Sequence, residues 1–169
     1  GLGAAMTPCP CGHSGENNPG HPCTGTPARI QRYLGNISGP LLARIDIQCE
    51  IEAVPYEQLR DTQPGESSAA IRERVLRARA RQNERFKDSK IVHCNAMMSA
   101  KMVREHCVID AESDKMLEMM MGKLGLSAGA CGRILKVART IADLEGKEAI
   151  EKKHLMEAIS YRSLDRWKG

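Results

Sequence analysis

The chain has 169 residues, 41% of them apolar and only 3% aromatic, with 25 basic residues against 21 acidic ones for a net charge of +4. That length accommodates one domain, or a small domain with part of another, and the charge alone is too small to establish a nucleic-acid partner. No apolar run approaches the roughly 18 residues of a membrane span, no signal peptide is visible, and seven irregularly spaced cysteines do not make a secreted disulfide framework, so a reducing cytoplasm is expected.

In chain order, Leu2 to Met6 are predicted as a strand and Pro8 to Gly25 as a loop rich in Pro, Gly, Asn and Cys. Thr26-Pro27 opens a helix through Tyr33, with threonine as N-cap and proline at the first helical position. Ser38-Gly39-Pro40 turns the chain, and Leu41-Leu42 lead to Arg44 on the doorstep of a second predicted strand. There Ile45, Ile47, Cys49 and Ile51 alternate with Asp46, Gln48 and Glu50, the period of a strand with one buried face.

From Glu66 onward the pattern is helical. The first helix is expected over about Ser67 to Lys87, with Ser67 or Ser68 as N-cap and Ile71, Val75 and Ala78 as its apolar stripe. A short helix follows over Ser99 to His106, then one over Ala111 to Lys123 with Met116, Leu117, Met120 and Met121 at helical spacing, punctuated by Gly122 and Gly125. Ser127 caps the next, whose Ile134, Leu135, Val137, Ala138, Ile141, Ala142 and Leu144 make a broad buried face ended by Gly146. The last helix is expected over Lys147 to Asp165, built on Ile150, Leu155, Ala158 and Ile159. Antiparallel helices on short loops imply a small bundle. The division is therefore 1–60, mixed in character with a Cys-rich loop, and 61–169, helical.

Two constellations carry chemistry of their own. Cys9-Pro-Cys11-Gly-His13 with His21-Pro-Cys23 supplies three thiols and two imidazoles, a donor set suited to tetrahedral zinc. The C-x-C spacing is tighter than the usual C-x₂-C knuckle, and the competing reading is a Pro/Gly-rich hairpin whose cysteines are idle. Second, arginines at 72, 74, 77, 79, 81 and 85 are opposed locally only by Glu73, Glu84 and Asp88. Such a helix binds phosphates by counterion release, or is a solvated face, or meets an acidic neighbour. Phe86 is the single stacking surface nearby, so base readout is not expected. His93, His106 and His154 read as ordinary helix or loop residues, and no Ser-His-Asp or Cys-His arrangement can be assembled.

The words RYLGNISGPLLAR-IDIQCEI, ESSAAIRERV and GRILKVARTIADL, in that order, resemble the magnesium chelatase-like branch of the AAA+ ATPases, of the ComM/YifB type, over nearly the whole chain. The resemblance implies a mainly α fold: a C-terminal helical lid bundle preceded by an incomplete α/β piece of the AAA+ core. Within these residues there is no G-x-x-x-x-G-K-[ST] loop to hold phosphates and no strand ending in paired acids to hold magnesium, the Walker A and Walker B elements. The opening GLGAAMT reads like the tail of a buried strand. The chain is thus expected to be a C-terminal piece of a longer ATPase, inactive toward ATP alone.

By the same resemblance Arg44 is the arginine finger, inserted beside the γ-phosphate bound by the adjoining subunit of a homo-oligomeric ring, a hexamer, with ATP and Mg2+ in the complete protein. A planar, permanently charged guanidinium suits that task; the competing reading is a strand-end ion pair, with Asp46 as partner. Thr7 stands where relatives carry a sensor asparagine. Gly129 stands where they carry a nucleotide-reaching lid arginine, so Arg133, one turn along, is a substitute or a solvated helix residue, and Arg139 of the ART string contacts nucleotide or packs. Ala43 replaces an acidic residue and Gly25 the last cysteine of the loop. ComM-type relatives imply action on DNA. The alternatives are a chelatase-type factor that remodels a protein partner, and a stand-alone helical binding module with a zinc-stapled loop.

Overall fold

The structure is a computed structural model that describes residues 2–14, 22–51, 54 and 65–162. The chain divides into two compact units: Gly1–Arg44 with Glu50–Thr62, and Ile45–Cys49 with Gln63–Gly169.

In the N-terminal unit, helix α1 spans Pro27–Leu34 and α2 spans Gly39–Arg44. Thr26 caps α1 through its side chain, 3.4 Å from the Arg29 amide, and proline opens the first turn. Neither helix has a buried residue. Cys9 is the one buried residue among those described in this unit.

The second unit is the bundle: α3 (Ser68–Arg85), a 3₁₀ turn (Asn95–Met97), α4 (Ala100–His106), α5 (Ala111–Leu124), α6 (Ala128–Glu145) and α7 (Lys152–Ser160). Each start has a local cause. Ser67, Ser99, Asp110 and Ser127 have extended backbones and accept from the amides of Ala70, Met102, Ser113 and Ala130. Two ends are equally explicit, since Gly125 and Gly146 take positive φ of 61° and 80° and close α5 and α6. Helix α6 is central and packs against α3, the 3₁₀ turn, α4 and α7, while α5 packs on α7. Ala138 and Ala142 let helices approach closely. Ile134, Leu117, Leu155, Ile159, Phe86, Met98, Val103 and Ile150 fill the rest of the core.

Three expectations are corrected. No strand occurs among the described residues, so neither Leu2–Met6 nor Ile45–Ile51 forms one. A strand needs a neighbour for its N–H and C=O groups. The second segment docks on the end of α7 instead, where Gln48 N–H donates to Tyr161 O at 2.9 Å and Arg162 donates to Ile45 O. Its inward residue is Gln48, while Ile47 and Ile51 stand 52% and 89% exposed. On α3 only Ala78 of the predicted stripe is buried; Ile71 and Val75 face outward. The final helix begins at Lys152, because Lys147 N–H bonds back to Ala142 O at 2.8 Å and Glu151 forms a capping box with His154. Its predicted end at Asp165 lies outside the described residues.

Candidate functional site

The residues singled out by sequence fall into three places. Arg44 is the last residue of α2, a turn and a half set by the Ser38 cap, whose carbonyl and hydroxyl receive the Leu41 amide at 3.0 and 3.3 Å. A cation at a helix C-terminus sits against the partial negative charge of free carbonyls. Arg44 is exposed and has no hydrogen-bond or ion-pair partner among the described residues. Its guanidinium is held at a helix end with its donors unused.

The Cys loop brings its sulfurs together. Cys9 Sγ lies 3.1 Å from Cys11 Sγ and 3.8 Å from Cys23 Sγ, and the last two are 3.4 Å apart. All three are free thiols. The amide of His13, and then the neighbouring thiols, hold Cys11 down at about 6. At Cys23 the Gly25 amide pulls downward, but the Cys11 sulfur and desolvation outweigh it and push the thiol up. Thr7, the predicted sensor position, donates from Oγ1 to Cys9 O at 3.0 Å and lies 3.1 Å from Tyr33 Oη. Its hydroxyl thus ties the loop to α1. His13 does not join the sulfurs as a ligand group, and His21 lies outside the described residues.

In the bundle, Arg139 is 3% exposed, and its two terminal nitrogens donate to Glu148 O and Lys147 O at 2.6 Å each. Its Nε stands 3.3 Å from Asp143 Oδ1, an ion-pair distance outside hydrogen-bonding geometry. Desolvation lowers its pKa. Arg139 thus pins α6 to the loop that follows it.

Asp143, 1% exposed, also receives Arg85 bidentately at 2.6 and 2.7 Å and Asn95 Nδ2 at 2.8 Å. Asn95 is completed by Arg85 on its Oδ1, by Thr140 and, through its amide, by Gln82. Sequence reading missed this network. Its one signal was an aspartate on the apolar face of α6, four residues beyond an arginine. A groove of about 640 Å³ beside it is lined by Arg85, His106, Asp110, Arg139 and Glu148 among others, and both arginines already face Asp143.

Arg133 differs from Arg139. It is half-buried one turn into α6, its Nε has no hydrogen-bond partner, and its guanidinium lies 3.8 Å from where a Cβ on Gly129 would stand. The basic helix α3 is largely neutralised within its own unit. Arg74 pairs with Glu66, Arg77 with Glu73, Arg81 with Glu148 and Arg85 with Asp143. Of the six arginines, Arg72 and Arg79 stand exposed without an ion-pair partner among the described residues.

The capped helical bundle suits the C-terminal helical lid of a magnesium chelatase-like AAA+ protein. Residues 65–162 match the family described as magnesium chelatase, subunit ChlI C-terminal, and residues 2–59 match magnesium chelatase, subunit ChlI. The chain is a member of this magnesium chelatase-like family. It is 43% identical over 166 residues to the protein YifB of Escherichia coli and 42% identical over 167 residues to the competence protein ComM of Haemophilus influenzae. YifB of Salmonella typhimurium is 42% identical over 166 residues. Each alignment covers 98% of this chain but 31% of the relative, so the chain spans about a third of the length of the proteins it matches.

Proposed function

We propose that this chain is the finger-and-lid part, 1–60 and 61–169, of a ring-forming AAA+ ATPase that acts on DNA in the cytoplasm. Arg44 enters the nucleotide site of the adjoining subunit, a hexamer being the expected ring, and meets the γ-phosphate of ATP held with Mg2+. The observation that carries this reading is the free guanidinium of Arg44, poised at the end of α2 with no intramolecular partner among the described residues. A guanidinium needs no proton bookkeeping, offers two parallel donors, and stabilises charge that develops as the phosphoryl bond breaks.

The helical unit then swings with hydrolysis. Arg133 is the lid group that faces the nucleotide, since its donors are unengaged and Gly129 leaves the space beside it open. Arg139 supports the lid from within, and Thr7 ties the Cys loop to α1 without acting on the attacking water. Likeness to a protein named for competence is what points to DNA. No described helix is long and apolar enough to cross a membrane.

A second reading, a chelatase-type remodeller of a protein partner, draws on the family name and on the internal pairing of most α3 arginines. ATP turnover of the complete ATPase, with and without DNA, separates the two: stimulation by DNA supports the first, and indifference the second. Arg44→Ala should lower turnover by roughly a thousandfold with ATP affinity little changed. Wild-type turnover in that variant would remove the finger assignment.

A further inference from the structure

Among its described residues the N-terminal unit buries little apolar surface. Its helices α1 and α2 bury nothing, and the one buried residue among those described is a cysteine, Cys9, at 0% exposure. Around it two further free thiols converge from positions 2 and 14 residues away in sequence.

We propose that Cys9, Cys11 and Cys23 bind one zinc ion through three thiolates, and that this ion organises the N-terminal unit. Sulfurs 2.3 Å from a tetrahedral zinc lie about 3.8 Å apart. The Cys9–Cys23 pair stands at 3.8 Å, and the Cys11–Cys23 and Cys9–Cys11 pairs at 3.4 and 3.1 Å need to open by about 0.4 and about 0.7 Å to reach that spacing. The backbone is already shaped for the purpose. Gly12 takes a positive φ of 86° and returns its amide to Cys9 O at 3.0 Å, a tight turn that brings Cys11 beside Cys9.

Each sulfur binds as thiolate, so zinc displaces the proton of every sulfur that is still a thiol at the working pH, and affinity falls as pH drops. The fourth corner goes to a non-sulfur ligand, because no fourth Cys joins the trio among the described residues. A Cβ on Gly25 would stand 3.5 Å from Cys23 Sγ and 3.0 Å from the Ile30 side chain, close enough for a thiol there to reach the trio if Ile30 gives way.

The test uses the reduced 169-residue chain with zinc alone, and cobalt(II) as the spectroscopic stand-in. We expect about one zinc per chain after desalting, and a cobalt spectrum with sulfur charge-transfer bands of a tetrahedral site. Cys9→Ser/Cys11→Ser/Cys23→Ser should abolish both, while Cys49→Ser/Cys94→Ser/Cys131→Ser should retain both. Helical circular dichroism checks that the bundle survives in each. Gly25→Cys should add a fourth thiolate and slow zinc release to a chelator at least tenfold. Zinc content below one-tenth of an equivalent in the reduced parent would overturn the proposal. So would retention of zinc by the first triple variant, or closure of the trio into a disulfide under conditions that leave zinc available.

Discussion

Arg44 and Arg139 are the same residue type put to opposite uses in the two units. Arg139 is enclosed by α6 and the loop behind it, with its terminal nitrogens on two carbonyls and its Nε facing a buried carboxylate. Arg44 stands at a helix end with nothing to bind among the described residues. The contrast extends to the units themselves. In the bundle, Arg85, Asn95, Arg139 and Asp143 are bound to one another or to nearby carbonyls, and the cap of nearly every helix is a side chain. In the N-terminal unit the described helices bury nothing, Arg44 is exposed, and three free thiols gather around buried Cys9. A charge whose partners are internal stabilises a fold, and one without them is available to a ligand.

Removing the carboxylate at the centre of the bundle is the harshest way to break that comparison. Asp143→Ala strands Arg85 and Arg139 together in the interior, and breaking a buried pair in this way costs about 3–5 kcal/mol. Urea denaturation of the chain should show the loss. Asp143→Asn keeps the shape and one acceptor, so it should lose less. If Asp143→Ala unfolded at the same urea concentration as the parent, the network would not hold the bundle together.

Helix caps sharpen the contrast at a smaller scale. Ser127→Ala removes the acceptor for the Ala130 amide at the start of central α6 and should cost about 1 kcal/mol in the bundle's transition. Thr26→Ala removes the equivalent acceptor in α1, a helix with no buried residue, and should leave the same transition unchanged. Equal losses would mean that the two units unfold as one. In the opposite direction, Gly132 sits inside α6 with ordinary helical backbone and open space where a Cβ would stand. Gly132→Ala should therefore raise the midpoint by the equivalent of about 0.5–1 kcal/mol.

Much of the bundle was legible because its signals are local. Ser67, Ser127, Gly125 and Gly146 act on amides and carbonyls within a few residues, and of the predicted apolar face of α6 Ile134, Ala138 and Ala142 are buried while Leu135, Val137, Ile141 and Leu144 are half-buried. Alternation in Ile45–Ile51 misled because period two describes a strand only where another strand lies alongside. Here Gln48 turns inward to the end of α7. Buried Asp143 with Asn95 and Arg85 was illegible because its members lie 48 and 58 residues apart, and a pattern along one helix does not report such a meeting. At the candidate site, the spacing of Cys9, Cys11 and Cys23 left a metal site and an idle hairpin both open, and nothing in the sequence signalled the tie from Thr7 to Tyr33.

His154 shows how a residue taken as ordinary becomes part of the frame, and it supplies the finest test. Its Nδ1 accepts the Glu151 amide at 2.9 Å, which places the proton on Nε2, and that N–H donates to Glu145 at the end of α6. Lys153 reaches the same carboxylate, and together Lys153 and His154 hold Glu145 down at about 2, below its ordinary 4.5. Because the carboxyl titrates lower in the folded chain than in the unfolded one, its contribution is complete above about pH 4.5 and disappears as pH falls toward 2. Glu145→Gln keeps an acceptor for Nε2–H and removes only the charge. Its melting temperature should lie below the parent's at pH 7, and the two should converge near pH 2, with the remaining acid sensitivity of both set by groups such as Asp110, which the Ser113 amide holds down. A gap that persisted unchanged to pH 2 would show that the variant disturbs packing rather than charge, and that the α6–α7 junction does not depend on this ion pair.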